Sequence, residues 1–118
     1  MMHKILTVDD EVEIVKIISA FLNKKGFQVL TAYSGEEALE VIAKEKPDLI
    51  LLDKKMPGIG GRGVLKKLKE DGINIPVILL SGSLGMEEMK ELVNGEVLSK
   101  PIDLNELVER VNKRLQNQ

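Results

Sequence analysis

The chain contains 118 residues, of which 43% are hydrophobic and 31% are charged, a balance typical of one globular domain with a substantial core. Its net charge of −2 favours neither nucleic acid nor an anionic membrane as a partner, and no segment approaches the roughly 20 apolar residues of a membrane span. The chain has no cysteine, which excludes disulfides. Its only histidine is His3, and a single histidine argues against a zinc site or histidine-based catalysis. We therefore expect a single cytoplasmic domain over residues 1–118, without a signal peptide.

The first half of the chain alternates apolar runs with helical patterns. Ile5–Val8 is typical of a buried strand. Apolar residues then recur at helical spacing, namely Ile14, Ile17, Ile18 and Phe21, and Gly26 follows as a stop signal. Phe27–Thr31 predicts a second strand. Ser34 predicts the start of a second helix, because its hydroxyl can accept a hydrogen bond from the Glu37 amide.

The second half of the chain continues the same alternation. Leu49–Leu52, Ile75–Leu80 and Glu96–Leu98 predict three further strands. A helix between the first two of these carries the apolar residues Val64, Leu65 and Leu68. A short helix is predicted around Glu87–Leu92, and the last helix is predicted to begin near Asp103. The apolar stripe of this last helix consists of Leu104, Leu107, Val108, Val111 and Leu115.

These patterns define the class of fold. Five strands alternate with helices, and the strands are continuous apolar runs rather than alternations of apolar and polar residues. Continuous runs are typical of a parallel sheet that is covered on both faces. Because crossovers between parallel strands are right-handed, we predict an α/β fold, a three-layer doubly wound sandwich around a five-stranded parallel sheet.

Side chains that carry chemistry stand at four of the predicted strand ends. Asp9 and Asp10 follow the first strand, Asp53 the third, Ser81 the fourth and Lys100 the fifth. The carboxyl ends of parallel strands open on one edge of the sheet, so we expect these five side chains to converge. Each residue alone also fits a structural role as a cap, a turn or a solvated loop residue. Their joint placement favours a functional site.

The residue types at these positions favour phosphoryl transfer. Three carboxylates need a counter-charge to remain ionised together. Mg²⁺ supplies such a charge, because it binds carboxylates, water and phosphate oxygens. Lys100 adds a second positive charge, and Ser81 adds a neutral hydrogen-bond donor. Phosphoryl transfer requires this kind of positioning and charge neutralisation, with Asp53 as a nucleophile that forms an aspartyl phosphate.

From Lys4 to about Leu115 the chain resembles a response-regulator receiver domain. The resemblance is carried by four motifs, which are Val8-Asp9-Asp10-Glu11, Asp53 with Met56-Pro57 and Gly61, Ser81-Gly82, and Lys100-Pro101. It implies a flavodoxin-like sheet in the order 2-1-3-4-5. It also implies a cis peptide bond between Lys100 and Pro101, which proline permits.

The resemblance also implies a role for each site residue. Asp10 would bind Mg²⁺ directly and Asp9 mainly through water, with Asp53 and the backbone carbonyl of Lys55 as further ligands. Asp53 would be the phosphoacceptor. Lys100 would contact the phosphoryl group.

Ser81 would be the hydroxyl that moves toward the phosphoryl group when the domain switches. The phosphodonor would be a sensor histidine kinase or a histidine phosphotransfer protein. A downstream protein or output domain would read the phosphorylated state, with no direct binding of nucleic acid or membrane by this domain. The domain would catalyse its own phosphorylation and dephosphorylation at Asp53, but it would have no separate turnover substrate.

Three features depart from the pattern of receiver domains. Lys54 and Lys55 directly follow the phosphoacceptor position, and the first of these positions is usually apolar in the family. They are either solvated lysines or, for Lys55, an ammonium that reaches the acidic pocket. Val97 stands where the family usually has an aromatic residue, and the stretch Ser83–Ser99 is shorter than usual. We therefore expect an unusual output surface or a trimmed one.

Three other classes of protein share parts of this pattern. A degenerate receiver that acts only as an interaction module would tolerate Lys54 and Lys55. A phosphatase with an aspartate nucleophile would need a second acid two residues after Asp53, where this chain has Lys55. A flavodoxin would need hydroxyls and glycines after the first strand, where Asp9 and Asp10 would repel a phosphate. The receiver domain accounts for the most residues.

Overall fold

The computed structural model describes residues 2–82 and 94–116. In this part of the chain five strands form one parallel sheet in the order β2-β1-β3-β4-β5. The strands are β1 Lys4–Val8, β2 Gln28–Ala32, β3 Leu49–Asp53, β4 Val77–Ser81 and β5 Gly95–Ser99. The described helices are α1 Val12–Lys24, α2 Gly35–Glu45, α3 Gly60–Glu70 and α4 Leu104–Gln116. The predicted class, sheet direction and strand order are confirmed.

The helices cover both faces of the sheet. One core cluster packs side chains of α2 and α3 against the sheet, and a second packs side chains of α1 and α4 against the opposite face. Strand β3 serves both clusters, because Ile50 and Leu52 belong to the first and Leu49 and Leu51 to the second. All residues of β3 and β4 are buried, whereas β2 and β5 are partly exposed at the edges. The continuous apolar pattern is therefore strongest in the central strands, as expected for a covered parallel sheet.

Two helix starts follow the capping chemistry in the sequence. The hydroxyl of Ser34 accepts a hydrogen bond from the Glu37 amide at 3.1 Å at the start of α2, as predicted. At the start of α4 the carboxylate of Asp103 accepts hydrogen bonds from the amides of Asn105 and Glu106 at 2.9 and 3.2 Å. Both caps satisfy amides that have no partner within their own helix.

Apart from shifts of one residue at strand ends, the structure differs from the predicted pattern in two places. Strand β4 begins at Val77 rather than Ile75, because Pro76 has no N–H to donate; its carbonyl still accepts a hydrogen bond from the Ile50 amide at 3.0 Å. In α1 the buried residues are Val15, Ile18 and Leu22, and Ile17 is 53% exposed. Of the four residues in the predicted apolar stripe of α1, only Ile18 is among these buried residues, so the covered face is displaced from the predicted one.

The edge strand β5 is tied to α4 by charged side chains. Glu96 pairs with Arg110 at 2.9 Å and with Arg114 at 3.1 Å. Val97, which replaces the usual aromatic, is partly buried and packs against the core cluster of α2 and α3. The predicted helix at Glu87–Leu92 lies outside the described residues. In the described ranges no helix is long and apolar enough to cross a membrane.

Candidate functional site

The predicted site residues meet at the carboxyl edge of the sheet. Asp53 is the last residue of β3 and Ser81 the last residue of β4, while Asp9 and Lys100 directly follow β1 and β5. Because the four strands are parallel neighbours, these positions lie side by side. The backbone also joins two of them, since the Lys100 amide donates a hydrogen bond to the Ser81 carbonyl at 2.8 Å. The Lys100–Pro101 peptide bond is cis.

Three carboxylates form a tight cluster at this edge. Oxygen atoms of Asp9, Asp10 and Asp53 lie within 4.8 Å of one another, and Asp9 and Asp53 are only 1% and 3% exposed. One oxygen of Asp9 accepts a hydrogen bond from the Glu11 amide at 3.0 Å. Its other oxygen, Oδ2, is buried and has no hydrogen-bond partner in the described part of the protein. A buried carboxylate oxygen without a partner is costly, which indicates a site built for a cation.

The electrostatics of Asp9 reflect this crowding. Burial raises the pKa of Asp9 from 3.8 to about 6, and the negative charge of Asp53 adds to this effect. The hydrogen bond from the Glu11 amide and the positive charge of Lys100 lower the same pKa without cancelling the rise. At neutral pH the folded protein therefore holds Asp9 ionised in an environment that disfavours the charge, and this lowers the free energy of unfolding.

Lys100 supplies the positive charge of the site. Its ammonium donates a hydrogen bond to Asp53 Oδ1 at 2.6 Å. Burial lowers the pKa of Lys100, but the hydrogen bond and charge of Asp53, with smaller contributions from Asp9 and Glu11, raise it above its usual value overall. Lys100 is therefore firmly cationic and holds one oxygen of the Asp53 carboxylate.

A cavity of about 380 Å³ opens above Asp53. Its described lining consists of Glu11, Asp53, Lys54, Lys55, Leu80, Ser81, Gly82 and Lys100. A second cavity, of about 370 Å³, adjoins it and is mostly apolar. This second cavity, called here the α1 groove, is lined by Glu11, Ile14, Ile17, Ile18, Lys100, Pro101, Ile102 and Leu104. Glu11 and Lys100 thus line both cavities.

The cavity lining bears on the two lysines that depart from the family pattern. Both line the cavity, and Lys55 is exposed. In residues 2–82 and 94–116, Asp53 is ion-paired with Lys100, and the ammonium of Lys55 is in no ion pair with the carboxylate cluster. The hypothesis that Lys55 enters the acidic pocket therefore has no support from the geometry. The predicted metal ligation by the Lys55 carbonyl stays a prediction.

Gly61 holds the start of α3 against the phosphoacceptor strand. A Cβ atom at Gly61 would lie 2.6 Å from the Asp53 carbonyl oxygen and 3.0 Å from that of Lys54. The Gly61 amide donates a hydrogen bond to the Lys54 carbonyl at 3.3 Å. The obstructing atoms are backbone and cannot rotate away, so this close approach requires glycine. Gly61 thereby fixes the chain that carries Asp53.

We expect Gly61→Ala to lower the free energy of unfolding by about 2 kcal/mol, because the added methyl group forces α3 and β3 apart. Urea unfolding measures this change. Gly60→Ala is the control: Gly60 has open space around it but a φ of 65°, so its substitution should cost only about 1 kcal/mol of left-handed strain. Equal losses for the two variants would show that the close approach at Gly61 contributes nothing.

The structure thus brings together Asp9, Asp10, Asp53, Ser81 and Lys100, the five side chains that the strand ends predicted. The sequence analysis did not identify Glu11 as a wall of two cavities. Its position directly after the acidic pair that follows β1 could have indicated this, since the loop beyond the carboxyl end of a strand lines the mouth of such a site.

Comparisons with known proteins agree with this geometry. A family model described as the response regulator receiver domain matches residues 5–112. The receiver domain of the Francisella response regulator 1452 superimposes with a TM-score of 0.91 at 33% identity, covering 98% of each chain. Vibrio cholerae chemotaxis protein CheY4 superimposes with a TM-score of 0.89 at 28% identity, covering 98% of this chain and all of that one. The chain belongs to the response regulator receiver domain family.

Two curated relatives from Bacillus subtilis are similar to nearly the whole chain. Sporulation initiation phosphotransferase F of Bacillus subtilis is 42% identical over 118 residues, covering 98% of this chain and 95% of that protein. The alkaline phosphatase synthesis transcriptional regulatory protein PhoP of B. subtilis is 37% identical, but the chain spans only 48% of its length. The chain is therefore similar both to a relative of its own length and to one part of a longer regulator.

Proposed function

We propose that this receiver domain accepts a phosphoryl group on Asp53 from a phosphohistidine and thereby changes its affinity for a protein partner. One observation carries the proposal: Asp53 is a buried carboxylate at the floor of a cavity, held by Lys100 at 2.6 Å and grouped with two further carboxylates. This arrangement offers a nucleophile, a cation beside it and a place for a second cation.

The residues at the site fit Mg²⁺. Asp9 Oδ2 is buried without a partner, and Asp9, Asp10 and Asp53 offer hard oxygen ligands within 4.8 Å of one another. We propose that these three carboxylates hold Mg²⁺ together with the backbone carbonyl of Lys55. When bound, Mg²⁺ would neutralise the carboxylates and supply positive charge beside the phosphoryl oxygens.

The chain's own residues would carry the transfer. An oxygen of Asp53 attacks the phosphorus, the new O–P bond forms, and the P–N bond of the donor breaks with its electron pair remaining on the ring nitrogen. Lys100 already holds the other oxygen of Asp53 and would follow the phosphoryl group as charge develops on its oxygens. Ser81, buried at the end of β4 on the same cavity, would donate its hydroxyl to a phosphoryl oxygen.

Signalling would follow from the new charge. A phosphoryl group on Asp53 would draw Ser81 and Lys100 toward it and shift an existing equilibrium between two conformations.

The partners would be proteins: a histidine kinase or phosphotransfer protein as donor, and a downstream protein or output domain as reader, in the cytoplasm. The relative named a phosphotransferase supports a role in passing the phosphoryl group onward. We propose that residues 1–118 act as one domain, without a separate turnover substrate.

Intact mass spectrometry tests the proposed function. Wild-type protein is incubated with phosphoramidate or acetyl phosphate, with Mg²⁺ or with a chelator. We expect one added phosphoryl group that requires Mg²⁺ and is removed by hydroxylamine, as an acyl phosphate is. No added mass with either donor, in protein that circular dichroism shows to be folded, would instead identify an interaction module that is not phosphorylated.

A further inference from the structure

Glu11 occupies a position that the proposed transfer reaction does not use. It is the exposed residue between the acidic pair of β1 and the first turn of α1. It lines both the cavity above Asp53 and the adjoining α1 groove, a property that it shares only with Lys100 among the described lining residues. In the described part of the chain no hydrogen bond or ion pair engages its carboxylate.

The negative charge of Glu11 also differs from the charge of most other ionisable residues that line the cavity. Besides the nucleophile Asp53, Glu11 is the only acid among the described residues that line the cavity, and the other charged lining residues are lysines. Burial has the largest effect on the pKa of both Asp9 and Lys100, and the negative charge of Glu11 is among the smaller effects that raise both. Its field therefore extends into the site.

The direction of attack places the leaving group near this wall. Asp53 lies at the floor of the cavity and is 3% exposed, so a donor can approach only from the mouth. In an in-line displacement the leaving group points away from the nucleophile. It therefore departs toward the mouth, and Glu11 and Lys55 are the exposed charged residues among the described lining of the cavity.

We infer that Glu11 is a specificity-determining residue that favours donors whose leaving group is a protonated or N–H-bearing nitrogen over donors whose leaving group is an anion. This inference rests on the proposed phosphorylation of Asp53. With phosphoramidate, an O–P bond to Asp53 forms, and the P–N bond breaks; ammonia leaves with the electron pair. The donor nitrogen is protonated before transfer, so it is attracted to the Glu11 carboxylate.

With acetyl phosphate the balance of charge is opposite. The O–P bond to Asp53 forms, and the P–O bond of the donor breaks; acetate leaves with the electron pair and a full negative charge. That charge grows in the transition state close to Glu11 and is repelled by it. The imidazole leaving group of phosphohistidine resembles that of phosphoramidate, because its second ring nitrogen carries an N–H that can donate a hydrogen bond to a carboxylate. Glu11 would thus select phosphohistidine over acyl phosphates.

The test compares the two small donors on the same protein. Rates of Asp53 phosphorylation are measured with phosphoramidate and with acetyl phosphate at one saturating Mg²⁺ concentration, and the ratio of the two rates is the readout. Changes in metal binding or in the reactivity of Asp53 affect both rates and cancel in the ratio. For Glu11→Gln we expect the ratio of phosphoramidate to acetyl phosphate rates to fall about fivefold, the scale of one screened charge near a reacting group.

Two further variants complete the experiment. Glu11→Asp keeps the charge and should retain most of the wild-type ratio. Glu13→Gln removes an exposed acid two residues away that lines neither cavity, so it should leave the ratio unchanged. An unchanged ratio in Glu11→Gln, or an equal change in Glu13→Gln, would overturn the inference. If the wild type accepts phosphate from neither donor, the proposed function fails instead, so the two failures are distinguishable.

Discussion

Asp53→Asn should abolish the Mg²⁺-dependent mass gain, lowering the rate of phosphoryl incorporation by roughly a thousandfold or more. The amide of asparagine lacks the anionic oxygen that attacks phosphorus. It is nearly the same size as the carboxylate, so the buried position at the end of β3 remains filled. The loss would therefore report on chemistry rather than on packing.

Asp48→Asn is the matched control for this variant. Asp48 immediately precedes β3, at the opposite edge of the sheet, where its carboxylate accepts a hydrogen bond from the Lys4 amide at 2.7 Å. An asparagine oxygen can accept the same bond, so the fold should be kept and phosphorylation should proceed at the wild-type rate. Continued modification of Asp53→Asn, with the phosphoryl group mapped to another carboxylate, would refute Asp53 as the acceptor.

The second large effect concerns stability. Without a divalent cation, Asp9→Asn should raise the free energy of unfolding at pH 7 by about 3 kcal/mol, because a rise in pKa from 3.8 to about 6 is the cost of holding Asp9 ionised in the folded protein. The asparagine oxygen can still accept the hydrogen bond from the Glu11 amide. Urea unfolding in the presence of a chelator measures the change.

Mg²⁺ and pH provide the checks on this prediction. Adding Mg²⁺ should stabilise the wild type and close most of the gap to Asp9→Asn. Between about pH 4 and pH 6 the folded protein keeps a proton on Asp9 that the unfolded chain has released. The wild type should therefore lose stability relative to Asp9→Asn as the pH rises through this window, with the loss complete above it.

Asp71→Asn serves as the reference for removing a surface carboxylate. Asp71 pairs with Lys67 at 3.5 Å at the exposed end of α3, and such pairs contribute at most about 1 kcal/mol. It should show neither the gain in stability nor the dependence on Mg²⁺. If Asp9→Asn is less stable than the wild type in the chelator, the carboxylate cluster does not oppose folding as its geometry indicates.

The sequence predicted the architecture and the five side chains of the site because both follow from the order of strands. Continuous apolar runs identify covered parallel strands, and such strands must place their following residues at one edge. Asp9, Asp53, Ser81 and Lys100 are therefore neighbours as a consequence of topology. No side-chain detail is needed for that step.

What the sequence did not predict depends on packing in three dimensions. The spacing of Ile17 is that of a core residue, yet the sheet covers only the face of α1 that holds Val15, Ile18 and Leu22. The role of Gly61 as a contact point with Asp53 and the place of Glu11 on two cavities arise from how α3 and α1 meet the loops. The spacing of apolar residues cannot predict such contacts, because it shows which face of a helix or strand is buried but not which residues that face contacts.

The double pairing of Glu96 with Arg110 and Arg114 bears on how the protein behaves at high concentration. Strand β5 lies at an edge of the sheet, and an unguarded edge can pair with a strand of another molecule and initiate aggregation. A charged residue within such a strand, ion-paired with two arginines of α4, makes flat edge-to-edge pairing between molecules unfavourable. The same contacts that hold α4 against β5 therefore also oppose pairing of this edge with a strand of another molecule.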